Sequence, residues 1–360
     1  MEILKNEWYV AAWSDEVTGT VLARTIANEP VVFFRNAEGK VSALVDRCCH
    51  RGLPLSLGKV VPEGLQCGYH GLVFNGAGKC IEIPGQKQIP ARACVKSYVV
   101  HEKDQLVWIW IGEPEQADTA LILDYGFHND PKNWPHKHGM LPLKGNYMLV
   151  IDNLMDLTHI GYVHKNTIGS GTATAHVEAI METERTPRGV KYARWMLDHD
   201  PPLTYSKAVK FDGNVDRWQE FEFVAPGSIV QFSGATNANT GAYDRREREG
   251  GFALRIFHGI TPETDGSCFY FYSAANGYRQ DEPIATEELF DEITRTFLED
   301  KLLVEQQQAR LDQLPQPPLL DVVSDGARVA ARRYMGTRLK QEEEARSKAA
   351  DKPKAVLREN

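Results

Sequence analysis

Cys48 and His50, then Cys67 and His70, are the residues of this chain with the most direct chemical meaning. Each clip supplies one thiolate and one imidazole, and sixteen residues separate the two clips. Thiolates suit the irons of an iron–sulfur cluster, and two imidazoles in place of two thiolates mark a Rieske [2Fe–2S] centre. Cys48 and Cys67 would then hold one iron, and His50 and His70 the other. A zinc site is the competing reading. A zinc finger, however, places its cysteines in one clip and its histidines in the next, whereas here each clip mixes them. Gly52 and Gly71 close the clips, so each is expected on a tight loop whose backbone N–H groups approach the sulfurs. Imidazole ligation implies a potential of roughly −150 to +300 mV, and hence a redox role.

Asp156, His159 and His164 form a second constellation. Neutral imidazoles are common ligands for iron, zinc and copper. Asp156 and His159, three apart, share a helix face. His159 and His164, five apart, do not, so the helix is expected to end or bulge between them, with Gly161 permitting it. Two histidines plus a carboxylate from elsewhere would build the facial triad of a non-haem iron(II) oxygenase, which keeps positions open for oxygen. Taken alone, the motif also reads as helical histidines that cap or pack. Beside a one-electron carrier, an oxygen-activating iron has a purpose.

These residues need two kinds of scaffold. Residues 1–115 read as short strands and turns, with a hairpin over Pro30–Arg35 and Val41–Val45 and a further strand at Gln105–Ile111. Both clips fall between such strands, so a small all-β domain presents them. Residues 116–340 read as a second domain. Tyr147–His164 reads as helix, and Val177–Arg194 as two strands around Pro187-Arg188-Gly189. Trp218–Phe232, Gly251–Phe257 and Cys268–Tyr272 read as strands. Thr286–Leu311 carries Leu289, Ile293, Phe297, Leu298 and Leu302 near helical spacing. The whole is an α+β fold. Residues 341–360, dense in Lys, Glu, Arg and Ala, are expected to be a frayed helix end and a flexible tail.

The 360 residues suffice for two domains, and a net charge of −8 argues against nucleic-acid binding. Of the six cysteines, the four outside the clips (Cys49, Cys80, Cys94, Cys268) are scattered, which fits a reducing compartment, and the first residues lack a signal-peptide layout. No apolar run reaches membrane-spanning length. A cytoplasmic location is expected.

The motifs resemble the oxygenase component of Rieske non-haem iron oxygenases, of the vanillate O-demethylase and dicamba monooxygenase type, over residues 1 to about 335. They include Asn6-Glu7-Trp8-Tyr9, Cys48 to Ser56, Cys67-Gly68-Tyr69-His70-Gly71, Ile83-Pro84-Gly85-Gln86, Asp152 to His159, Glu299-Asp300 and Glu305 to Gln308. The resemblance implies a helix-grip-like catalytic domain and an iron held by His159, His164 and Asp300, with Glu299 the adjacent alternative. It implies that Asp156 bridges His159 to a cluster histidine, His70, of a neighbouring subunit in a head-to-tail homotrimer. Asn153 belongs to the same motif and is a further catalytic candidate. A separate reductase, carrying flavin and a ferredoxin-type [2Fe–2S] cluster, would deliver electrons from NADH. The implied reaction is O2-dependent monooxygenation of an aromatic acid, by O-demethylation or hydroxylation. Ring cis-dihydroxylation is the alternative, and an electron carrier without catalysis a third reading. His258 is implied as a contact to the substrate carboxylate, a strand-end histidine satisfied by backbone being the alternative. Gln231 and Asn237 are further pocket candidates. Cys49 stands where many members have proline; as a small buried thiol it would put a third sulfur near the cluster.

Overall fold

The computed structural model describes residues 3–165, 167–169, 176–314 and 319–350. Three small antiparallel sheets build the N-terminal part. The first contains β1 (Glu7–Trp13), β10 (Val100–Lys103) and β11 (Leu106–Ile111), with β11 central. The second contains β2 (Leu22–Ile26), β3 (Glu29–Arg35), β4 (Val41–Val45) and β9 (Ser97–Tyr98). The third contains β5 (Lys59–Val61), β6 (Gly64–Gln66), β7 (Val73–Phe74) and β8 (Cys80–Glu82). The first clip lies between β4 and β5, and the second between β6 and β7.

The C-terminal part is one seven-stranded antiparallel sheet. Its strands are β12 (His136–Leu143), β13 (Ile180–Thr186), β14 (Gly189–His199), β15 (Val215–Val224), β16 (Ser228–Asn237), β17 (Phe252–Thr264) and β18 (Ser267–Asn276). They run in the order β12-β18-β17-β16-β15-β14-β13. Five helices accompany them among the described residues: α1 (Tyr147–Met155), α2 (Ile160–Val163), α3 (Leu203–Ala208), α4 (Pro283–Gln313) and α5 (Gly326–Ala350).

Strand periodicity explains how the two parts join. Successive side chains of a strand face opposite ways, and both faces of β11 are buried. Val107, Ile109 and Ile111 enter the N-terminal core with Tyr9 and Phe33. Leu106, Trp108 and Trp110 instead pack on Phe257 and Phe271 of the large sheet. That sheet is thus covered by the N-terminal part on one face. On the other, α4 buries Leu289, Ile293 and Phe297 beside Tyr270 and Tyr272. Full burial of one such side chain contributes about 2–3 kcal/mol.

Four sequence expectations need correction. The helix expected over Tyr147–His164 breaks at Asp156, before His159 rather than after it. Asp156 adopts φ −135° and ψ 103°, and its Oδ1 accepts from the backbone N–H of Thr158, starting a new helical turn. The stretch Trp218–Phe232 is not one strand: it spans parts of β15 and β16, joined through Ala225-Pro226-Gly227. On α4, Leu298 and Leu302 are 46% and 61% exposed, because only the Leu289–Ile293–Phe297 stripe meets the sheet. Finally, α5 continues through Ala350, and Glu342 accepts the backbone N–H of Lys5 at 3.0 Å, so the expected free tail does not begin at 341. Residues 351–360 lie outside the described residues.

Candidate active site

The two clips fold into near-copies of one loop. In the first, the Cys48 N–H donates to the Leu53 carbonyl at 2.8 Å and the Gly52 N–H to the Cys48 carbonyl at 3.0 Å. In the second, Cys67 donates to Leu72 at 2.8 Å and Gly71 to Cys67 at 3.1 Å. Gly52 and Gly71 both have φ +74°, a conformation that side-chain-bearing residues rarely adopt. Asp46 braces the first loop by accepting from the Ser56 N–H and hydroxyl, at 2.7 and 2.6 Å. Cys48 and Cys67 are each 3% exposed, while His50 is exposed and His70 half-buried. The two imidazoles meet edge to face, with ring centres 4.5 Å apart. Burial pushes the Cys48 thiol up to about 11, and the neighbouring Cys67 thiol adds to the rise. Two thiols below and two imidazoles above at one pair of loop tips form a donor set that fits a Rieske cluster. Cys49, expected to be buried, is exposed.

The second constellation assembles where the α1–α2 segment meets α4. His159, His164 and Asp300 offer ligand atoms within 4.8 Å of one another. Ile293, Phe297 and Asp300 recur at spacings of four and three, so the stripe that packs α4 on the sheet also aims Asp300 inward. Asp300 Oδ1 lies 3.1 Å from His164 Nε2 and 3.5 Å from His159 Nε2. Each imidazole is held by its other nitrogen. His159 Nδ1–H donates to the backbone carbonyl of Asp156 at 2.7 Å, and His164 Nδ1–H to Glu299 Oε2 at 2.6 Å. Thr167 Oγ1 also donates to Glu299. Asp300 therefore faces both Nε2 atoms, and Glu299 stands behind His164. Asn153 Nδ2 donates to Asp300 Oδ1 at 3.0 Å.

Burial alone would raise the Asp300 carboxyl, but its bonds to His159 and His164 bring it down to about 2, so it is anionic. Burial likewise works to lower His164, yet Asp300 and Glu299 hold it above the ordinary histidine range. Two carboxylates and two inward Nε2 atoms make a pocket that attracts a cation, and their types fit a two-histidine, one-carboxylate iron site.

The cavity beside these residues runs under the large sheet. Leu157, Phe221, Ile256, Ile293 and Phe297 supply apolar walls, and Arg217, Gln219 and Gln231 supply polar ones. It is narrow, about 50 Å³. Ligand pockets usually run to several hundred Å³, so a ring-sized substrate must widen it. A larger hollow of about 430 Å³ between Phe127, Lys191 and Arg255 shares Phe221 and Gln231 with it but touches none of the three converging residues.

Three sequence assignments change here. His258 does not line the cavity: it is fully buried behind Gln231. Its Nε2–H donates to Gln231 Oε1 at 3.0 Å, and Tyr270 O–H donates to its Nδ1 at 2.7 Å. Burial lowers its pKa to about 3, so it is a neutral ring with both nitrogens occupied. Asn237 lies at the end of β16 and exchanges hydrogen bonds with Asp212, away from the cavity. The Asp156 carboxylate does not touch His159; the backbone carbonyl does, while Oδ1 is taken by Thr158. Arg217 and Gln219 escaped the sequence reading. Their signal was the alternation Val215, Arg217, Gln219, Phe221, Phe223 on one strand face, with polar residues where apolar ones are expected.

Residues 143–341 match the family model of the vanillate O-demethylase oxygenase C-terminal domain, and residues 7–99 match the Rieske [2Fe-2S] domain. The chain belongs to the Rieske oxygenases of the vanillate O-demethylase family. Among relatives of this Rieske oxygenase, an iron-sulfur subunit of the toluene-4-sulfonate monooxygenase system of Comamonas testosteroni is 37% identical over 324 residues. That match covers 89% of this chain and 93% of the relative. A vanillate O-demethylase oxygenase subunit of Pseudomonas sp. is 38% identical, covering 95% of this chain and 96% of its own. The crystal structure of dicamba monooxygenase bound to 3,6-dichlorosalicylic acid superimposes with a TM-score of 0.88 at 31% identity, covering 95% of this chain and 99% of that one. No described helix is long and apolar enough to cross a membrane.

Proposed function

We propose that this Rieske oxygenase is the oxygenase component of a multicomponent, NADH-driven monooxygenase acting on an aromatic acid by O-demethylation or hydroxylation. The observation that carries the reading is the convergence of His159, His164 and Asp300 on one cavity, in a chain that also presents a Rieske donor set. Cys48, His50, Cys67 and His70 would hold the [2Fe–2S] cluster, and His159, His164 and Asp300 a mononuclear Fe(II). When bound, these groups supply electrons and oxygen activation. The chain's own residues do the rest. Glu299 and the Asp156 carbonyl fix the two imidazoles with Nε2 inward. Asn153 steadies Asp300, and Phe221, Ile293 and Phe297 keep water from the reacting end of the substrate.

The same reading makes the protein a head-to-tail homotrimer. Exposed apolar residues flank both centres: Leu57 and Tyr69 beside the clips, Tyr162, Leu298 and Leu302 around the triad. Such exposure suits burial against a second copy. It would bring His70 of one subunit to Asp156 of the next, whose Oδ2 accepts no hydrogen bond from a described residue. The relatives are named as oxygenase subunits, which supports a separate reductase partner. Apart from the two cluster cysteines, the four others form no disulfide, which fits a reducing cytoplasm.

The test is reconstitution with an NADH-dependent reductase and a panel of methoxybenzoates, following substrate-dependent NADH use and formaldehyde. Formaldehyde supports O-demethylation. A cis-dihydrodiol product would replace the reading with dihydroxylation, and iron confined to the cluster would leave only an electron carrier.

A further inference from the structure

The cavity holds a cation that no described residue meets in an ion pair. Arg217 points inward from β15 and is 4% exposed. Its Nε is buried without a hydrogen-bond partner. Its terminal nitrogens make no hydrogen bond and no ion pair with any described residue; the Tyr205 ring lies 5.0 Å from the guanidinium, and the charges it acts on nearby, Arg194 and His176, are basic groups. Arg194, one strand away on the same face, has an unpartnered Nε as well and differs at its terminal nitrogens. It donates to the Leu157 carbonyl at 3.1 Å, to Gln219 Oε1 at 3.0 Å and to the His176 carbonyl. Arginine cannot shed its proton to escape burial, and an uncompensated buried charge is strongly unfavourable. Arg217 is therefore left without an ion-pair partner among the described residues.

We propose that Arg217 is the anion anchor of the substrate cavity, pairing with the carboxylate or sulfonate of an aromatic acid. The inference rests on the monooxygenase reading and names the part of the substrate that reading leaves open. A planar guanidinium matches the two oxygens of either acid. Gln231, held by His258 and donating to Ser233 Oγ at 2.8 Å, keeps its second amide N–H beside the same space. His258 cannot take the role, being neutral and sealed. Asp300 and Arg217 both line the cavity, one on α4 and the other on the sheet. An acid held at Arg217 leaves its far end for the triad, so this pair selects which carbon reacts.

The holoenzyme and its R217M and R217K variants decide the matter in anaerobic titrations with two probe pairs. These are 4-methoxybenzoate against 4-methoxybenzamide, and toluene-4-sulfonate against toluene-4-sulfonamide. Wild type is expected to bind at least one anion well above its amide, and the preferred anion identifies the acid class. R217M should weaken that anion by roughly 100-fold, the scale of a buried charge-assisted pair. It should leave the amide within about threefold, so that the preference disappears. R217K, which keeps the charge and loses the fork, should weaken the anion about tenfold. In the absence of ligand, the Tm of R217M should equal or exceed that of wild type, since an unbalanced buried charge is removed. An anion preference that survives in R217M, undiminished binding in R217K, or no anion preference in wild type overturns the assignment. A large drop in Tm for R217M does so too, because it marks a structural partner. Failure of the monooxygenase reading looks different: anions bind through Arg217, yet none supports NADH use or product formation.

Discussion

The two candidate metal centres are assembled in opposite ways. The N-terminal donors come from two short loops of the same shape, each set by local hydrogen bonds and a glycine at φ +74°. Its imidazoles reach the surface. The C-terminal donors come from helices far apart in sequence, and only packing of α4 on the sheet brings Asp300 to His159 and His164. There His164 is 1% exposed. A surface centre can exchange electrons with a partner protein; a sealed one can keep water from its chemistry. The contrast suits a supplier and a consumer of electrons, and it requires a link between them.

The sharpest way to break that division is Asp300→Ala. The expected result is loss of the iron beyond the cluster and abolished turnover, while the reduced cluster keeps its spectrum. Metal and sulfide analysis with cluster spectroscopy checks this. If the variant keeps that iron, Asp300 is not its ligand.

Next comes the link. Asparagine at 156 can still cap Thr158 through its amide oxygen, and the backbone carbonyl still anchors His159. Asp156→Asn should therefore retain both metals and lose about 100-fold or more in turnover, with single-turnover cluster oxidation slowed in proportion. Wild-type turnover in this variant would remove the bridging role.

Glu299→Gln is milder. The glutamine oxygen can still accept from His164 Nδ1–H, but the charge behind the imidazole is gone. An outer partner of this kind is worth roughly 10- to 100-fold in metal affinity, so iron should be lost faster to a chelator while turnover at saturating iron persists. Equal loss in Glu299→Gln and Asp300→Ala would mean that both carboxylates bind the metal.

How far each centre could be read from sequence follows from the same contrast. The clips were legible because their donors lie within three or four residues of one another and their glycines mark the loops. The histidine pair was legible as a motif, but the break was misplaced. Asp156 acts as an N-cap, and nothing in composition distinguishes that from a helical aspartate with Gly161 downstream. Asp300 and Glu299 could not be separated by spacing; they point to different nitrogens of the same imidazole only because α4 packs in one rotation. Trp218–Phe232 reads as one strand only if the turn signal Pro226-Gly227 is passed over, and there β15 gives way to β16. Arg217 lies just before that stretch, and His258 entered the cavity through the family resemblance, which does not show which way a strand residue faces.

The smallest effect at neutral pH concerns that sealed histidine, and it distinguishes the interior from the exposed His50 and half-buried His70 of the clips. In the unfolded chain His258 titrates near the ordinary value of about 6.5; in the native protein burial holds its pKa near 3. Between those values the unfolded state carries the extra proton, so stability falls as pH falls through this window. Above about pH 6.5 nothing is lost. The full penalty at low pH is on the order of 5 kcal/mol. His128 and His176, lowered by burial to about 4 and about 3, act in the same direction. His258→Gln removes one of these contributions, so its Tm should decline less steeply than wild type between about pH 6.5 and 4. At pH 7 it is expected to be less stable, because glutamine cannot reproduce both the Tyr270 and Gln231 bonds. Parallel Tm–pH curves for the two proteins would show that His258 is already charged, or reached by water, in the native state, and the neutral lock behind Gln231 would have to be given up.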